Sequence, residues 1–109
     1  MRIDELPFGA VDWNGVEALT HRGESGEVRS RTRQFGDVRL RLLEYSAGYR
    51  ADHWCRKGHF LLCLEGELHT ELADGRRFRL LPGMSYHVAD DAEAHRSCAP
   101  VGARLFVVD

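Results

Sequence analysis

The stretch ADHWCRKGHFLLCLEGE, residues 51–67, places two histidines and a cysteine within seven positions and then continues as an apolar run. The three side chains are His53, Cys55 and His59, and all three are good ligands for transition metals. The apolar run that follows them has the length and composition of a buried β-strand. The stretch therefore indicates a strand and a candidate metal site together.

The spacing of the three side chains does not allow one regular element to hold one ion. On a straight strand the six steps from His53 to His59 span about 20 Å between Cα atoms. On a helix Cys55 and His59 would be neighbours, but His53 would point elsewhere. We therefore expect a reversal of the chain at positions 56–58, with Gly58 at positive φ. The first two side chains would lie on the strand before the reversal, and His59 would open the strand after it.

Turn residues recur along the whole chain and separate short apolar runs. Short strands that follow each other at about 8–12 residues are typical of a β-sandwich or barrel. The dipeptide Asp74-Gly75 predicts a type I′ hairpin turn with positive φ at both positions, and Pro82-Gly83 predicts a type II turn. Segment 14–23 predicts a loop or one turn. The predicted strands are 37–45, 59–65, 67–73, 76–81, 84–89 and 103–108.

Composition and charge limit the class of protein. A length of 109 residues, with 43% hydrophobic and 29% charged residues, indicates one globular domain with a single core. The net charge of -2 argues against a nucleic-acid partner. Without a long apolar run or a secretory signal, we expect a cytoplasmic protein with no membrane partner. The three cysteines are expected to be reduced thiols, with Cys63 in the core.

Two patterns resemble the motifs of a known family. His-x-Cys-x3-His-x6-Gly, from His53 to Gly66, resembles the first motif of the cupins, His-x-His-x3-4-Glu-x6-Gly. Segment 83–97, GMSYHVADDAEAHRS, is similar to the second cupin motif and supplies His95 as its histidine. The letters Asp52-His53-Trp54-Cys55 resemble, in a different order, the signature of a small cupin-fold subgroup named DHCW. In the second motif, Asp90, Ala92 and Ala99 stand where the family has Pro, Gly and Asn.

This resemblance implies a fold and a ligand set. The fold is an all-β cupin barrel, a double-stranded β-helix or jelly roll, over residues 35–109, and residues 1–34 form an N-terminal arm that contributes edge strands. The implied metal ligands are His53, Cys55, His59 and His95. Because Cys55 replaces a histidine and His59 a glutamate of the family, the set suits Zn, Ni, Fe or Cu better than Mg or Ca. Whether Cys55 coordinates the ion or acts as a redox-active thiol stays open.

The expected function takes more than one form. The first is a small metalloenzyme, oxygenase-like or isomerase-like, whose ion acts on a small organic molecule. The second is a non-catalytic module that binds a small molecule or a metal, or a thiol-based sensor. A third has no metal and uses Cys55 and His59 in nucleophilic chemistry. The resemblance, together with the need to protect sheet edges, also implies a homodimer.

Overall fold

The computed structural model describes residues 3–109, and nearly all of their regular structure is β-strand. The strands are β1 (Leu19–Arg22), β2 (Glu27–Phe35), β3 (Val38–Tyr45), β4 (Tyr49–Arg50), β5 (His59–Gly66), β6 (Leu68–Leu72), β7 (Arg77–Leu80), β8 (Ser85–Val88), β9 (His95–Ala99) and β10 (Ala103–Val108). A short 3-10 helix, Trp13–Gly15, precedes them. The all-β prediction is confirmed. Segment 14–23 contains the predicted turn but also carries β1.

The strands form two antiparallel sheets. One sheet has the order β1-β2-β3-β10-β5-β8, and the other has the order β4-β9-β6-β7. Strands that follow each other in the sequence, such as β5 and β6 or β8 and β9, lie in different sheets, so the chain crosses repeatedly between the two. This double-sheet arrangement is a jelly roll, as predicted. No helix within residues 3–109 has the length and apolar character to cross a bilayer.

The core lies between the sheets. Its largest fully buried side chains are Leu68, Leu105, Val107 and Cys63. Leu68 belongs to the four-stranded sheet and the other three belong to the six-stranded sheet, so the core joins the two. Burying one leucine or valine of this kind contributes about 1.5–3 kcal/mol to folding. The prediction that Cys63 is a core residue is confirmed.

Strand β3 turns its charged face towards the interior. Arg39 and Arg41 line a cavity between the sheets, whereas Leu42 is buried on the opposite face. That outer face is covered by the N-terminal segment, where the Trp13 ring meets the Phe106 ring edge-on at 6.1 Å between centroids. The apolar face of β3 is therefore covered from outside, and the opposite face, which carries the two arginines, lines the cavity.

The turn at Asp74-Gly75 differs from its prediction. Gly75 has a φ of 97°, but Asp74 is not among the described residues with positive φ. The Gly75 amide donates to the Leu72 carbonyl at 2.9 Å, and the Asp74 carboxylate accepts from the Arg76 amide at 3.1 Å. This bond from a side chain to the backbone two residues on holds Asp74 in an Asx turn. Among the described residues of this loop, only the last one, Gly75, has a positive φ angle, whereas a type I′ turn needs two such residues. The predicted type I′ turn is therefore wrong.

The turn at Pro82-Gly83 agrees with its prediction. Gly83 has a φ of 90°, and the Met84 amide donates to the Leu81 carbonyl at 2.9 Å. Positive φ at the third position, with a hydrogen bond from the fourth residue to the first, characterises a type II turn. The turn leads into β8, which carries one wall of the cavity.

Candidate metal centre

The segment between Cys55 and His59 carries the chain from one sheet to the other. The Cys55 amide donates to the His95 carbonyl at 2.7 Å, and the His95 amide donates to the Cys55 carbonyl at 3.0 Å. This isolated bridge attaches Cys55 beside β9 of the four-stranded sheet. His59 opens β5, which pairs with β10 and β8 in the six-stranded sheet. His59 therefore opens the strand after the crossing, as predicted, but Cys55 lies on no named strand before it, and the two residues approach each other across the interior.

Gly58 is needed for space and not for its φ angle. It is absent from the described residues with positive φ, so the prediction of positive φ is wrong. A Cβ atom on Gly58 would lie 2.4 Å from the Asp90 amide nitrogen and 2.7 Å from the Ala89 carbonyl carbon. The Gly58 amide also donates to the Asp90 carboxylate at 2.7 Å. Close contact with the segment after β8 therefore fixes the point at which β5 begins.

Three of the predicted ligands meet between the sheets. Cys55, His59 and His95 each offer one ligand atom, and these atoms lie within 4.8 Å of one another. The two Nε2 atoms, of His59 and His95, are 3.2 Å apart. Two imidazole nitrogens on one tetrahedral zinc ion would be about 3.3 Å apart, given Zn–N bonds of about 2.0–2.1 Å. The spacing and the donor types therefore fit a transition metal ion.

The protein fixes the orientation of the His95 ring. Nδ1 of His95 lies 2.9 Å from the carbonyl oxygen of Glu93. A carbonyl oxygen only accepts hydrogen bonds, so Nδ1 carries a proton, and the hydrogen bond with Cys55, the main influence, raises the pKa of His95. When the ring is neutral, Nε2 presents its lone pair to the cluster. A backbone carbonyl in this role is a common way to orient a metal-binding histidine.

His59 is held neutral and faces a carboxylate with its other nitrogen. Burial above all, and then the neighbouring His95 and the Arg41 guanidinium, lowers the pKa of His59 to about 4. Its Nδ1 is buried, makes no hydrogen bond to the described part of the chain, and lies 3.9 Å from Oδ2 of Asp109. A histidine that binds a metal through one nitrogen usually donates its other N–H to such a group. A small movement of the His59 ring would bring its Nδ1 within hydrogen-bond distance of Asp109.

The Cys55 thiol is activated by its neighbours. A hydrogen bond with His95 is the main influence and lowers the pKa of the thiol, and the Lys57 backbone amide acts in the same direction against the effect of burial. The thiolate is the form of cysteine that binds metals. Cys55 therefore offers a sulfur ligand atom next to the two imidazole nitrogens.

His53 lies outside this cluster. Its Nδ1 is 2.7 Å from the Asp52 carboxylate, and 72% of its side chain is exposed. It nevertheless lines the same cavity as the other three predicted ligands. Its assignment as a metal ligand stays a prediction.

Tyr86 and the arginines of β3 were not among the site residues predicted from the sequence. The Tyr86 hydroxyl lies 2.9 Å from Nε2 of His59, and burial is the main cause that raises the pKa of this phenol. Tyr86, Arg39 and Arg41 all line the cavity, which has a volume of about 590 Å³. For Tyr86 the available signal was its position on a predicted strand, since alternate residues of a strand face the interior.

Comparisons with known proteins support the fold. No protein-family model matches the sequence, and no curated protein gives a significant match. Ectoine synthase from P. lautus superposes with a TM-score of 0.75 and 20% identity over 93% of this chain and 76% of that one. A protein from Thermotoga maritima described as a predicted oxalate decarboxylase gives 0.78 and 13% over 92% and 96%. A cupin-2 domain protein from Rhodospirillum rubrum gives 0.72 and 19% over 94% and 75%. This chain therefore has the cupin fold.

Proposed function

We propose that this chain is a metal-binding cupin-fold protein in which Cys55, His59 and His95 hold one divalent transition metal ion. The observation that carries the proposal is the convergence of their three donor atoms, contributed from both sheets, within 4.8 Å. Two nitrogens and a thiolate sulfur suit Zn, Ni, Fe or Cu. Calcium and magnesium prefer oxygen ligands, which this cluster does not provide.

The proposed activity is that of a small metalloenzyme, oxygenase-like or isomerase-like, acting on a small organic molecule. Three protein ligands leave a coordination position for water or substrate, and the cavity of about 590 Å³ is of the size of small-molecule sites. The ion, when bound, supplies Lewis-acid or redox chemistry. The Tyr86 hydroxyl lies 2.9 Å from Nε2 of His59, and it would therefore hydrogen-bond to an organic molecule that is bound beside the ion. Two of the similar structures bear enzyme names, ectoine synthase and a predicted oxalate decarboxylase, and this supports a catalytic role.

His53 supports the alternative of a non-catalytic module. It lines the same cavity, and on leaving Asp52 it would become a fourth ligand, which closes the coordination sphere as in structural metal sites. Azide added to cobalt-loaded protein separates the two functions. An open position predicts a shifted visible spectrum in the wild type, and a spectrum that changes only in His53→Ala would indicate the closed module.

We also propose a homodimer in the cytoplasm. Three alternate side chains of β5 form an exposed apolar row on the outer face of the six-stranded sheet, namely Phe60, Leu62 and Leu64. A second copy would cover such a surface, and sedimentation velocity tests this, since a monomer at every concentration contradicts it. The three cysteines are all unpaired, as expected in a reducing compartment, and fractionation of the source cells tests the location.

Metal content tests the proposed site. We expect wild-type protein that has been loaded with Zn²⁺ and desalted to retain about one ion per chain, because three converging donors bind it. His59→Ala and His95→Ala each remove a donor and should reduce the retained zinc to background in elemental analysis. His87→Ala is the matched control, because His87 is exposed and lies against Phe60 on the outer side of β8 and β5. Wild-type protein without zinc, or full retention in His95→Ala, would overturn the proposal.

A further inference from the structure

Two arginines of β3 and one buried carboxylate form an ionic group beside the proposed metal site. Arg39 donates to Asp109 through Nε at 2.8 Å and through a terminal nitrogen at 2.9 Å. Arg41 donates one terminal N–H to Oδ2 of the same carboxylate at 2.9 Å. The Asp109 side chain is 1% exposed. One carboxylate thus balances one of the two guanidinium charges, and one positive charge remains at the cavity wall.

The unbalanced charge belongs to Arg41. Arg39 makes the two-point contact with Asp109, whereas Arg41 makes one hydrogen bond to it. The Nε of Arg41 is buried and finds no hydrogen-bond acceptor among residues 3–109. A buried N–H of a charged group is costly when it has no acceptor. A ligand that brings an acceptor to Arg41 would therefore be bound favourably.

No other carboxylate in the described cavity wall compensates Arg41, and the Cys55 thiolate has its hydrogen bond with His95. Among the described residues that line the cavity, Asp52 is the one acid, and it already pairs with His53. Arg96, which also lines the cavity, donates to Glu71 at 3.1 Å. The wall is therefore positive overall, and it selects for an anion.

Arg41 is also close to the proposed metal ligands. Oδ2 of Asp109, which accepts from Arg41 at 2.9 Å, lies 3.9 Å from Nδ1 of His59. The same carboxylate oxygen thus lies between the guanidinium and an imidazole of the cluster. If Arg41 bound the anionic group of a small molecule, the rest of that molecule would lie next to the proposed ion.

We propose that the ligand of this cavity is a small organic acid whose carboxylate is bound by Arg41, with Asp109 as the positioning residue for the guanidinium. A planar carboxylate matches the planar fork of N–H groups of a guanidinium, and the Arg41 side chain, 23% exposed, is partly open to the cavity. The position of the rest of the molecule at the metal rests on the proposed function. The carboxylate contact itself does not, because Arg41 is not one of the proposed metal ligands.

Binding of butyrate and of its neutral analogue butyramide tests the inference. We expect wild-type protein, as purified and after metal removal, to bind butyrate about 10–100-fold more tightly than butyramide in ligand-observed NMR titrations, as a charge-assisted contact provides. Arg41→Gln should abolish this preference, and Arg41→Lys, which keeps the charge but loses the fork, should restore part of it. Arg33→Gln is the matched control, because Arg33 is exposed on the neighbouring strand β2 and does not line the cavity.

Several outcomes would overturn the inference. Equal affinity of the wild type for butyrate and butyramide does so without any variant, and this comparison decides the matter even if Arg41→Gln does not fold. A preference that survives in folded Arg41→Gln also contradicts it. If inorganic phosphate bound more tightly than butyrate, with the same dependence on Arg41, the ligand would be an organic phosphate and the proposed carboxylate would be wrong. Zinc uptake without a butyrate preference refutes this inference alone, and a preference for butyrate without zinc uptake refutes the proposed function alone.

Discussion

Each imidazole of the proposed centre has one nitrogen directed at the protein and one directed at its partner ring. His95 uses Nδ1 on the Glu93 carbonyl, and His59 turns Nδ1 towards Asp109. The two Nε2 atoms face each other at 3.2 Å, the distance of a hydrogen bond in which one nitrogen donates its proton to the lone pair of the other. A cation that binds both nitrogens would take the place of that proton, and His59 would then carry its own proton on Nδ1, towards Asp109. The orientation of the two rings therefore suits a metal ion as well as a hydrogen bond.

Cys55 determines how soft the donor set is. Cys55→Ser keeps the size of the side chain, but a serine hydroxyl does not ionise near neutral pH and is a poor ligand for zinc. We expect the affinity for Zn²⁺ to fall by at least about tenfold, measured by competition with a chromophoric chelator. Cys98→Ser is the matched control, since Cys98 is a free thiol outside the cluster. Unchanged zinc affinity in Cys55→Ser would show that the thiol lies outside the coordination sphere.

The residues of the site were predictable where motif spacing carried the information. Cys55, His59 and His95 follow from the two motif-like patterns and meet in the structure. His53 differs because its segment is not a regular strand beyond β4, so even spacing does not bring its ring, which pairs with Asp52, up to the other three side chains. Arg41 was not predictable as an interior residue, because an arginine that alternates with leucines normally marks the solvent-facing side of a strand.

At the scale of elements, strands with strong apolar character were predicted almost to the residue. The runs 37–45, 59–65 and 103–108 correspond to β3, β5 and β10. Strand β9 was not predicted, because HRSCA has little apolar character. It forms because it pairs with β6 and, outside the named strands, with Cys55. Such pairing between distant parts of the chain cannot be derived from local pattern alone.

Gly58→Ala tests the close contact that positions the start of β5. The added Cβ would meet backbone atoms of Ala89 and Asp90 at 2.7 Å and 2.4 Å, which cannot move aside as a flexible side chain can. We expect a loss of about 1–3 kcal/mol in the free energy of unfolding, measured by urea denaturation, and reduced zinc retention, because His59 follows directly. Gly15→Ala is the control, since its Cβ would meet nothing within 4 Å. Equal stability of both variants would show that the contact relaxes freely.

At the scale of the whole molecule, strand spacing predicted a β-sandwich or barrel and the family resemblance implied a jelly roll, but neither predicted how the site is divided between the sheets. His59 comes from the six-stranded sheet, whereas His95 and the bridged Cys55 belong with the four-stranded sheet. The site is therefore a contact between layers, like the apolar core beside it. This division follows from the crossing at positions 56–58, where close packing, and not a turn signal, determines the path.

Because the ion would join the two sheets, it should stabilise the whole fold without being required for it. The buried core, which includes Leu68 and Leu105 from opposite sheets, holds the layers together by itself, so the metal-free protein should stay folded. Free Zn²⁺ at 100 times its Kd adds about 2.7 kcal/mol of stability, which corresponds to a rise in Tm of about 10 °C for a chain of this size. Differential scanning calorimetry with EDTA and then with excess zinc measures the shift, and His95→Ala should lose it. An equal Tm under both conditions would mean that no ion links the layers, and complete unfolding in EDTA would mean that the core depends on the metal.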